Sequence, residues 1–274
     1  MWQIIKLIIY FVLYQVLSTT LVALPEFWTQ LMNNGGNIND FTDIEITTTA
    51  TSLSLIFSSL AMIGHLIHFR YVKFSLKSFK EISGKAILLS IPLIVASMAV
   101  ANLSCEFLNL PDYTQATSYA MSRNVFGIIS ITIMAPLVEE LLFRGAIQGH
   151  LTKIGVKPLP AILASSAIFG IIHMNPTQIL FAFAIGLIFG WLYYRTGSLV
   201  PGIVGHFINN SLATIQMAMT TQEELNLKTI DWLGKGPTYV LLALSFIVMI
   251  GLFFYLQKRL PAASHTPTEK ERAS

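Results

Sequence analysis

Long apolar stretches alternate with short polar connections along the whole chain. Eight of these stretches are long enough to cross a bilayer as a helix, which takes about 20 residues. They cover residues 3–24, 48–69, 86–108, 124–149, 158–174, 177–194, 199–218 and 238–257. This pattern predicts an all-α, polytopic membrane protein with about eight transmembrane helices.

The composition supports this prediction and excludes other classes. Of the 274 residues, 54% are hydrophobic and only 11% are charged, which is not typical of a soluble globular protein. The charges do not cluster, so we expect no nucleic-acid partner. A single cysteine, Cys105, excludes an intrachain disulfide and is expected to be buried. The first apolar run is too long for a signal-peptide core and is interpreted as a retained span, whereas the polar tail 261–274 is predicted to be disordered.

Basic residues are distributed unequally between the two sets of connections. One side receives 14 of the 17: Lys6, Arg70, Lys73, Lys77, Lys80, Lys85, Arg144, Lys153, Lys157, Arg195, Lys258, Arg259, Lys270 and Arg272. The other side receives Arg123, Lys228 and Lys235 and most of the acidic residues. Because basic connections stay in the cytoplasm, we expect both termini there. The expected location is therefore a membrane, in which the chain is a multi-pass protein.

The fourth apolar stretch carries three charged residues, Glu139, Glu140 and Arg144. A charge within hydrocarbon is costly and is a functional candidate by default. Glu140 and Arg144 are i,i+4 neighbours, and we interpret them as a structural ion pair. Glu139 points about 100° away and has no partner in its own helix. It is therefore either a functional carboxylate or an interhelical hydrogen-bonding residue. Pro136, one turn earlier, predicts a kinked or hydrated helix.

Two further pairs of polar or aromatic residues have i,i+4 spacing. His206 and Asn210 share a face of the seventh stretch, and Phe169 and His173 end the fifth. The polar segment HMNPTQ, 173–178, suggests a wet pocket where a hydrophobic hairpin would be expected. Two histidines, one asparagine and one free glutamate on three spans favour a site over simple packing.

Other residues are assigned structural roles. Gly205 would permit the close approach of another backbone beside His206, and Gly186 and Gly190 form a GxxxG motif suited to helix packing. The remaining histidines are interpreted as structural, headgroup-facing, loop or tail residues: His65, His68, His150 and His265.

The chemistry that these residues suit is hydrolysis by an activated water. Glu139 would be the general base, and a histidine would orient the water or bind a metal that acidifies it. Asn210 and another histidine would donate hydrogen bonds to the oxyanion of the tetrahedral intermediate. No HExxH motif is present, so a metal site would have to be assembled between helices.

Three motifs in this order resemble the CPBP family of intramembrane metalloproteases, the CAAX proteases and bacteriocin-processing enzymes also called the Abi family. The family pattern EExxxR, FxxxH and HxxxN stands here as EELLFR at 139–144, FGIIH at 169–173 and HFINN at 206–210. The resemblance covers roughly residues 120–215. The family includes type II CAAX prenyl endopeptidases.

The resemblance implies a role for each motif residue. Glu139 and His173 would activate the water, His206 and Asn210 would stabilise the oxyanion, and Glu140 and Arg144, with Phe169, would support the site. Glu139, His173 and His206 could bind zinc or act directly, and the motifs leave both open. The implied partners are the lipid bilayer and a peptide or protein substrate that is membrane-bound or prenylated.

The resemblance also suggests a division of the chain and a geometry for the site. Residues 119–218 would form the catalytic core, preceded by 1–118 and followed by 219–260 and the tail 261–274. Glu139 and His206 are expected about 7–10 Å from the cytoplasmic end of their helices, but His173 about 24 Å. They meet only if the fifth helix is displaced or tilted, or if the 173–178 turn is submerged. We expect a cavity opening to the cytoplasm with His173 at its floor, in contact with Glu139.

Two alternatives compete with the protease. A proton-coupled transporter would also place Glu and His in the membrane, but it predicts internal repeats that the sequence lacks. A non-catalytic immunity or scaffold protein of the same fold would keep its phenotype when Glu139 is replaced. The connection 25–47 could act as a gate or recruit a partner.

Overall fold

The computed structural model describes residues 2–33, 46–72 and 84–260, which form helices without a strand. The predicted all-α class is therefore confirmed for these ranges. We number the helices in chain order as α1 Trp2–Asn33, α2 Thr48–His68, α3 Gly84–Leu108, α4 Gln115–Met121, α5 Val125–Lys153, α6 Pro158–Ile171, α7 Pro176–Thr196, α8 Val200–Met219, α9 Thr229–Leu233 and α10 Lys235–Arg259.

Each of the eight predicted stretches contains a helix, and six of these helices are long and apolar enough to cross a membrane: α1, α2, α3, α5, α7 and α10. The chain is thus an integral, multi-pass membrane protein. The other two differ from the prediction. Helix α6 has 14 residues and is about 21 Å long, which is short for a hydrocarbon layer of about 30 Å. Helix α8 has 20 residues, but His206, Asn209 and Asn210 make it more polar than the six.

The first helix is longer than predicted. Helix α1 continues through Pro25 to Asn33, so the first part of the predicted connection 25–47 is helical. The rest of that connection falls largely on residues 34–45, which lie outside the described residues, as do the basic residues of 73–83 and the tail 261–274. The orientation of the termini stays a prediction.

Helix α5 is not a regular α-helix. It contains two π-helical segments, Ser130–Met134 and Glu140–Gln148, joined by the short α-helical stretch Ala135–Glu139. In the first segment the Ala135 N–H donates to the Ser130 carbonyl, five residues back. The distortion coincides with Pro136, whose missing N–H cannot continue a regular ladder. The sequence predicted a kinked or hydrated helix at this proline, and the structure has a π turn there.

Glycines on α7 bring that helix close to α5 and α6. A Cβ at Gly186 would lie 3.1 Å from the Ser166 Cβ, and one at Gly190 would lie 3.0 Å from Ile162 Cγ2. The Gly186 and Gly190 carbonyls also accept hydrogen bonds from Arg144 Nη2 (3.4 Å) and Gln148 Nε2 (2.8 Å). The predicted GxxxG contact therefore exists, and its carbonyls anchor two polar side chains of α5.

The hydrophobic core has two parts that meet at α7. One packs α1 and α2 against α5 and α6, around Leu142, Phe143 and Ile147. The other packs α3, α7 and α10, around Leu93, Phe189 and Leu256. The polar motif residues of α5, α6 and α8 lie beside these two parts, which hold their helices in place.

Candidate active site

Glu140 and Arg144 form a buried ion pair, as the i,i+4 spacing predicts. Arg144 Nη1 donates to Glu140 Oε1 at 2.9 Å, and each side chain is only 1% exposed. The guanidinium also lies 4.4 Å from the centre of the Phe169 ring, a cation–π distance. Gly202 on α8 makes room for the carboxylate, because a Cβ there would lie 2.6 Å from Glu140 Oε2. The pair and its neighbours form a fixed platform.

His206 lies between the two glutamates. Its Nε2 is 3.6 Å from Glu139 Oε2, and its Nδ1 is 3.4 Å from Glu140 Oε1. These distances are longer than those of ordinary N–H···O hydrogen bonds, so the imidazole approaches both carboxylates without a short hydrogen bond to either. Glu139 thus lacks a partner in its own helix, as predicted, but faces a histidine of α8. At 16% exposure its side chain is more accessible than that of Glu140.

Phe169 joins the three motifs. Its ring centre lies 5.1 Å from that of His173 and 5.8 Å from that of His206, edge-on in both cases. It also contacts Phe143 of α5, at 5.0 Å. The aromatic residue of the FxxxH motif therefore separates the two histidines.

His173 is held at the end of α6 by its own helix. Its Nδ1 lies 2.8 Å from the Phe169 carbonyl. A carbonyl only accepts, so Nδ1 carries the proton and Nε2 is left as an acceptor. In the described structure no nitrogen of His173 lies within ion-pair distance of Glu139. These two residues therefore form no ion pair in the described structure, and Phe169 lies beside His173.

The relative heights of α5 and α6 account for much of the difference in depth that the sequence predicted between Glu139 and His173. Glu139 lies 14 residues from either end of α5, about 21 Å from each, and not 7–10 Å from the cytoplasmic end. The Ser165 hydroxyl donates to the Phe143 carbonyl (2.7 Å), which fixes the level of α6. Counted from this bond, the backbone of His173 lies about 6 Å beyond Glu139. Its side chain turns back toward Phe169, which reduces the separation.

Helix α8 begins inside this assembly. A Cβ at Gly145 of α5 would lie 3.5 Å from Leu199 Cδ1, immediately before α8. Gly145 follows Glu139 by six residues, and His206 follows Val200 by six. Because α5 and α8 are antiparallel, Glu139 and His206 lie at about the same height along the two helices. At the other end, Arg123 donates to the carbonyls of the last turn of α8 and of Thr220.

Asn210 is engaged with the π turn of α5. Its Nδ2 donates to the Ile131 carbonyl at 2.8 Å, and its Oδ1 accepts from Asn209 Nδ2 at 2.9 Å. The Ala135 N–H is used by Ser130, and Pro136 has no N–H, so Ile131 lacks both an α-helical and a π-helical donor. Asn210 supplies the missing donor and keeps a second N–H free.

Comparison with known proteins gives this arrangement a family context. Residues 121–212 match the Rce1-like family model. The family is described as type II CAAX prenyl endopeptidase Rce1-like, and the matched segment contains every predicted site residue. The resemblance predicted from the three motifs is therefore confirmed for this segment, which lies inside the predicted core 119–218.

Two relatives from Bacillus subtilis (strain 168) cover a similar part of the chain. One, named "Putative membrane peptidase YdiL", is 36% identical over 102 residues, which are 37% of this chain and 41% of the relative. The other, "Uncharacterized protein YpbD", is 29% identical over 99 residues, which are 35% of this chain and 48% of the relative. This chain thus covers less than half of either relative. No solved structure matches it significantly.

The segment 121–212 contains no preassembled group of metal ligands. Within the described ranges, no group of three His, Cys, Asp or Glu side chains is placed to hold a metal ion. Glu139 and His206 approach each other, but His173 makes no ion-pair contact with Glu139. The proposed zinc ligands therefore do not form a set in this arrangement, and we derive no catalytic step through a metal.

Several residues outside the motifs contribute to the Rce1-like segment. Gln148 continues the i,i+4 series of Glu140 and Arg144, a signal visible in the sequence. Gly202 has no such signal, because its importance depends on the distance between α5 and α8. The polar segment 173–178 was predicted to line a wet pocket, but Asn175, Thr177 and Gln178 instead form hydrogen bonds with residues 110–114.

The other predicted roles have mixed outcomes. His65 is structural: it is buried among the rings of Tyr10, Tyr14, Phe69 and Tyr71. Cys105 is buried, as expected. His150 lies in the last turn of α5 and not in a loop. A Cβ at Gly205 would meet side chains of Ile94 and Phe189, so the close approach there is not to a backbone. His265 lies outside the described residues.

Proposed function

We propose that this protein is an intramembrane endopeptidase that hydrolyses a peptide bond with an activated water. The observation that carries the proposal is the placement of His206 between Glu139 and Glu140 in the segment that matches the family. A carboxylate that approaches an imidazole, with an amide one turn further along α8, suits acid–base hydrolysis. The chain has one cysteine, and it lies outside this group.

In the proposed mechanism Glu139 is the general base. It accepts a proton from water, whose oxygen then bonds to the carbon of the scissile carbonyl. His173 Nε2, the acceptor nitrogen, would orient this water. When the carbon–nitrogen bond breaks, Glu139 returns the proton to the leaving nitrogen, and the products are a carboxylic acid and an amine.

His206 and Asn210 would stabilise the oxyanion. A carbonyl oxygen entering beside His206 Nε2 would accept a hydrogen bond that strengthens as negative charge develops. The second N–H of Asn210 could donate to the same oxygen while the first stays on Ile131. Glu140 would hold the imidazole from its Nδ1 side, and Arg144 would hold Glu140.

The substrate class follows from the family and the membrane setting. We propose a membrane-associated or lipid-modified protein or peptide, and prenylation is the modification that the family description suggests. A bacterial cell membrane, with both termini in the cytoplasm, is the proposed location.

The test compares protein termini in native cells that carry wild type, Glu139→Gln or Glu223→Gln at matched protein levels. Glu223 is an exposed carboxylate outside the site and serves as the control. We expect termini that appear with wild type and Glu223→Gln but vanish with Glu139→Gln. Unchanged termini, together with rescue of a deletion phenotype by Glu139→Gln, would reject catalysis and favour the non-catalytic alternative.

A further inference from the structure

The turn between α6 and α7 is tied to a segment that precedes it by some 60 residues. Asn175, two residues after His173, is only 1% exposed. Its Nδ2 donates to Asp112 Oδ1 (2.8 Å) and to Thr114 Oγ1 (3.0 Å), and its Oδ1 accepts from the Tyr113 N–H (3.2 Å). The side-chain amide is thus fully used in binding residues 110–114, which we call the strap.

Two neighbours of Asn175 also bind the strap. Thr177 Oγ1 donates to the carbonyl of Leu110 (3.0 Å), and Gln178 Nε2 donates to Thr114 Oγ1 (2.8 Å). The strap has its own internal order, because Asp112 Oδ1 accepts from both the N–H and the hydroxyl of Thr114 (2.9 Å each). A single carboxylate therefore organises the strap and receives the amide of Asn175.

The ordinary explanation for an asparagine at this position does not apply. Asn175 is the residue immediately before α7, where asparagine usually accepts a hydrogen bond from the first turn of its helix. Here its side chain makes no such bond with α7. The Asn175 side chain does not cap α7, and its amide binds the strap.

The backbone before Asn175 also needs an external support. Met174 has φ of +53°, a left-handed conformation that is unfavourable for a non-glycine residue. Such a conformation persists when surrounding contacts fix it. Helix α6 ends at Ile171, so His173 lies between that end and the anchored Asn175. The Phe169 carbonyl holds the imidazole from the side of α6, and the hydrogen bonds of Asn175 fix the other end of the turn that carries it.

We propose that Asn175 is a positioning residue, which holds His173 in its catalytic place through Asp112 and the strap. The inference rests on the proposed function, because His173 needs a fixed position only if it orients a reacting group. It adds a link between the site and the segment that joins α3 to α4. An error of about 1 Å in such a group can cost about 100-fold in rate.

An exchange of the two side chains tests the link. Asn175→Asp places a second carboxylate against Asp112, whereas Asp112→Asn keeps an oxygen that can accept from Asn175 and Thr114. The double variant, Asp112→Asn with Asn175→Asp, restores a donor facing an acceptor. Repulsion between two carboxylates at positions 112 and 175 should thus occur only in Asn175→Asp. The double variant contains the same substitution without that repulsion and controls for a failure to fold.

Two measurements on the purified full chain separate the outcomes. The first is hydrogen–deuterium exchange of the peptide covering 172–179, which needs no substrate. The second is kcat and KM on a synthetic peptide that spans a terminus abolished by Glu139→Gln. We expect Asn175→Asp to exchange faster and to lose about 100-fold in kcat with little change in KM. Asp112→Asn and the double variant should stay within a few-fold of wild type.

Two results would overturn the inference. Faster exchange in Asn175→Asp with unchanged kcat would show that the turn is structural only, while the proposed function stands. Equal losses of kcat in Asn175→Asp and the double variant would show that the Asp112 pairing does not position His173. If wild type cleaves no peptide, the proposed function itself fails, and the strap then has no catalytic role to support.

Discussion

At the residue scale, the three charged residues within six positions of α5 differ in their environment: Glu140 and Arg144 form an ion pair, and Glu139 stands apart from it. Glu140 and Arg144 are buried and paired, and removing one partner of such a pair typically costs about 3–5 kcal/mol. The Gly186 carbonyl and the Phe169 ring lower the cost of burying the guanidinium. Glu139 lacks these partners and stays partly accessible. In the proposed mechanism its carboxylate is therefore the one that accepts a proton from water.

Asn210 has a structural role that can be separated from catalysis. Asn210→Ala should leave the Ile131 carbonyl unpaired and lower the free energy of unfolding by about 1–3 kcal/mol. In a Pro136→Ala background the new N–H at 136 can donate to the same carbonyl, so the loss should be smaller. The measurement is reversible unfolding in mixed micelles. Asn209→Ala, which keeps the bond to Ile131, is the control.

Equal losses for Asn210→Ala in the two backgrounds would contradict this pairing. Activity should fall with Asn210→Ala in both backgrounds, because the proposed oxyanion donor is missing in both. Comparing Asn210→Ala in the two backgrounds would thus separate its effect on stability from its effect on activity.

The sequence was informative where a residue acts within its own helix. The spacing of Glu140 and Arg144 predicts their pair, and that spacing also isolates Glu139. It could not predict that His206 would approach both glutamates, because that depends on where α8 begins relative to α5. Nor could it predict the use of Asn175 on the strap, since 61 residues separate Thr114 from Asn175.

At the element scale, the close approach of α8 to α5 depends on a missing side chain at Gly202. Gly202→Ala would place a Cβ 2.6 Å from Glu140 Oε2, so the carboxylate or the helix must move. We expect a marked loss of activity and a lower unfolding temperature. Gly251→Ala in α10, where a Cβ meets nothing within 4 Å, should be neutral or slightly stabilising.

The comparison is made on purified protein in detergent, with the unfolding temperature and the peptide assay measured together. If Gly202→Ala behaves like Gly251→Ala, the spacing of α5 and α8 does not control the site. A loss of activity without a loss of stability would indicate that Glu140 moves and that the helix stays.

Hydropathy predicted which stretches become helices but not all of their ends or their internal geometry. Helix α1 extends nine residues past the predicted end at residue 24 and continues through Pro25. Helix α6 stops at Ile171, three residues early, and Met174 then has a left-handed backbone. Pro136 marks the first π turn of α5 in the sequence, but the bond from Asn210 to the Ile131 carbonyl depends on the packing of α8 against α5.

At the scale of the whole molecule, the proposed site lies near the middle of the length of α5. Glu139 is equally far from both ends of α5, and α8 starts level with Gly145, well inside the end of α5. Helix α6 is too short to cross the hydrocarbon layer by itself, so the turn with His173 fits best within the membrane thickness. A site at this depth needs polar neighbours from several helices, and the Rce1-like segment supplies them.

The orientation of the chain is the last property to be tested, because it decides from which side water and substrate arrive. With both termini in the cytoplasm, the loop after α5 faces the cytoplasm and α9 faces the opposite side. Exposed residues on each side serve as labelling sites, Ile154 in the loop and Trp232 in α9. In a Cys105→Ser background, a membrane-impermeant maleimide applied to intact cells should label Trp232→Cys at once. It should label Ile154→Cys only after the membrane is opened. Labelling in the reverse order would place the 14 basic residues outside and refute the charge argument.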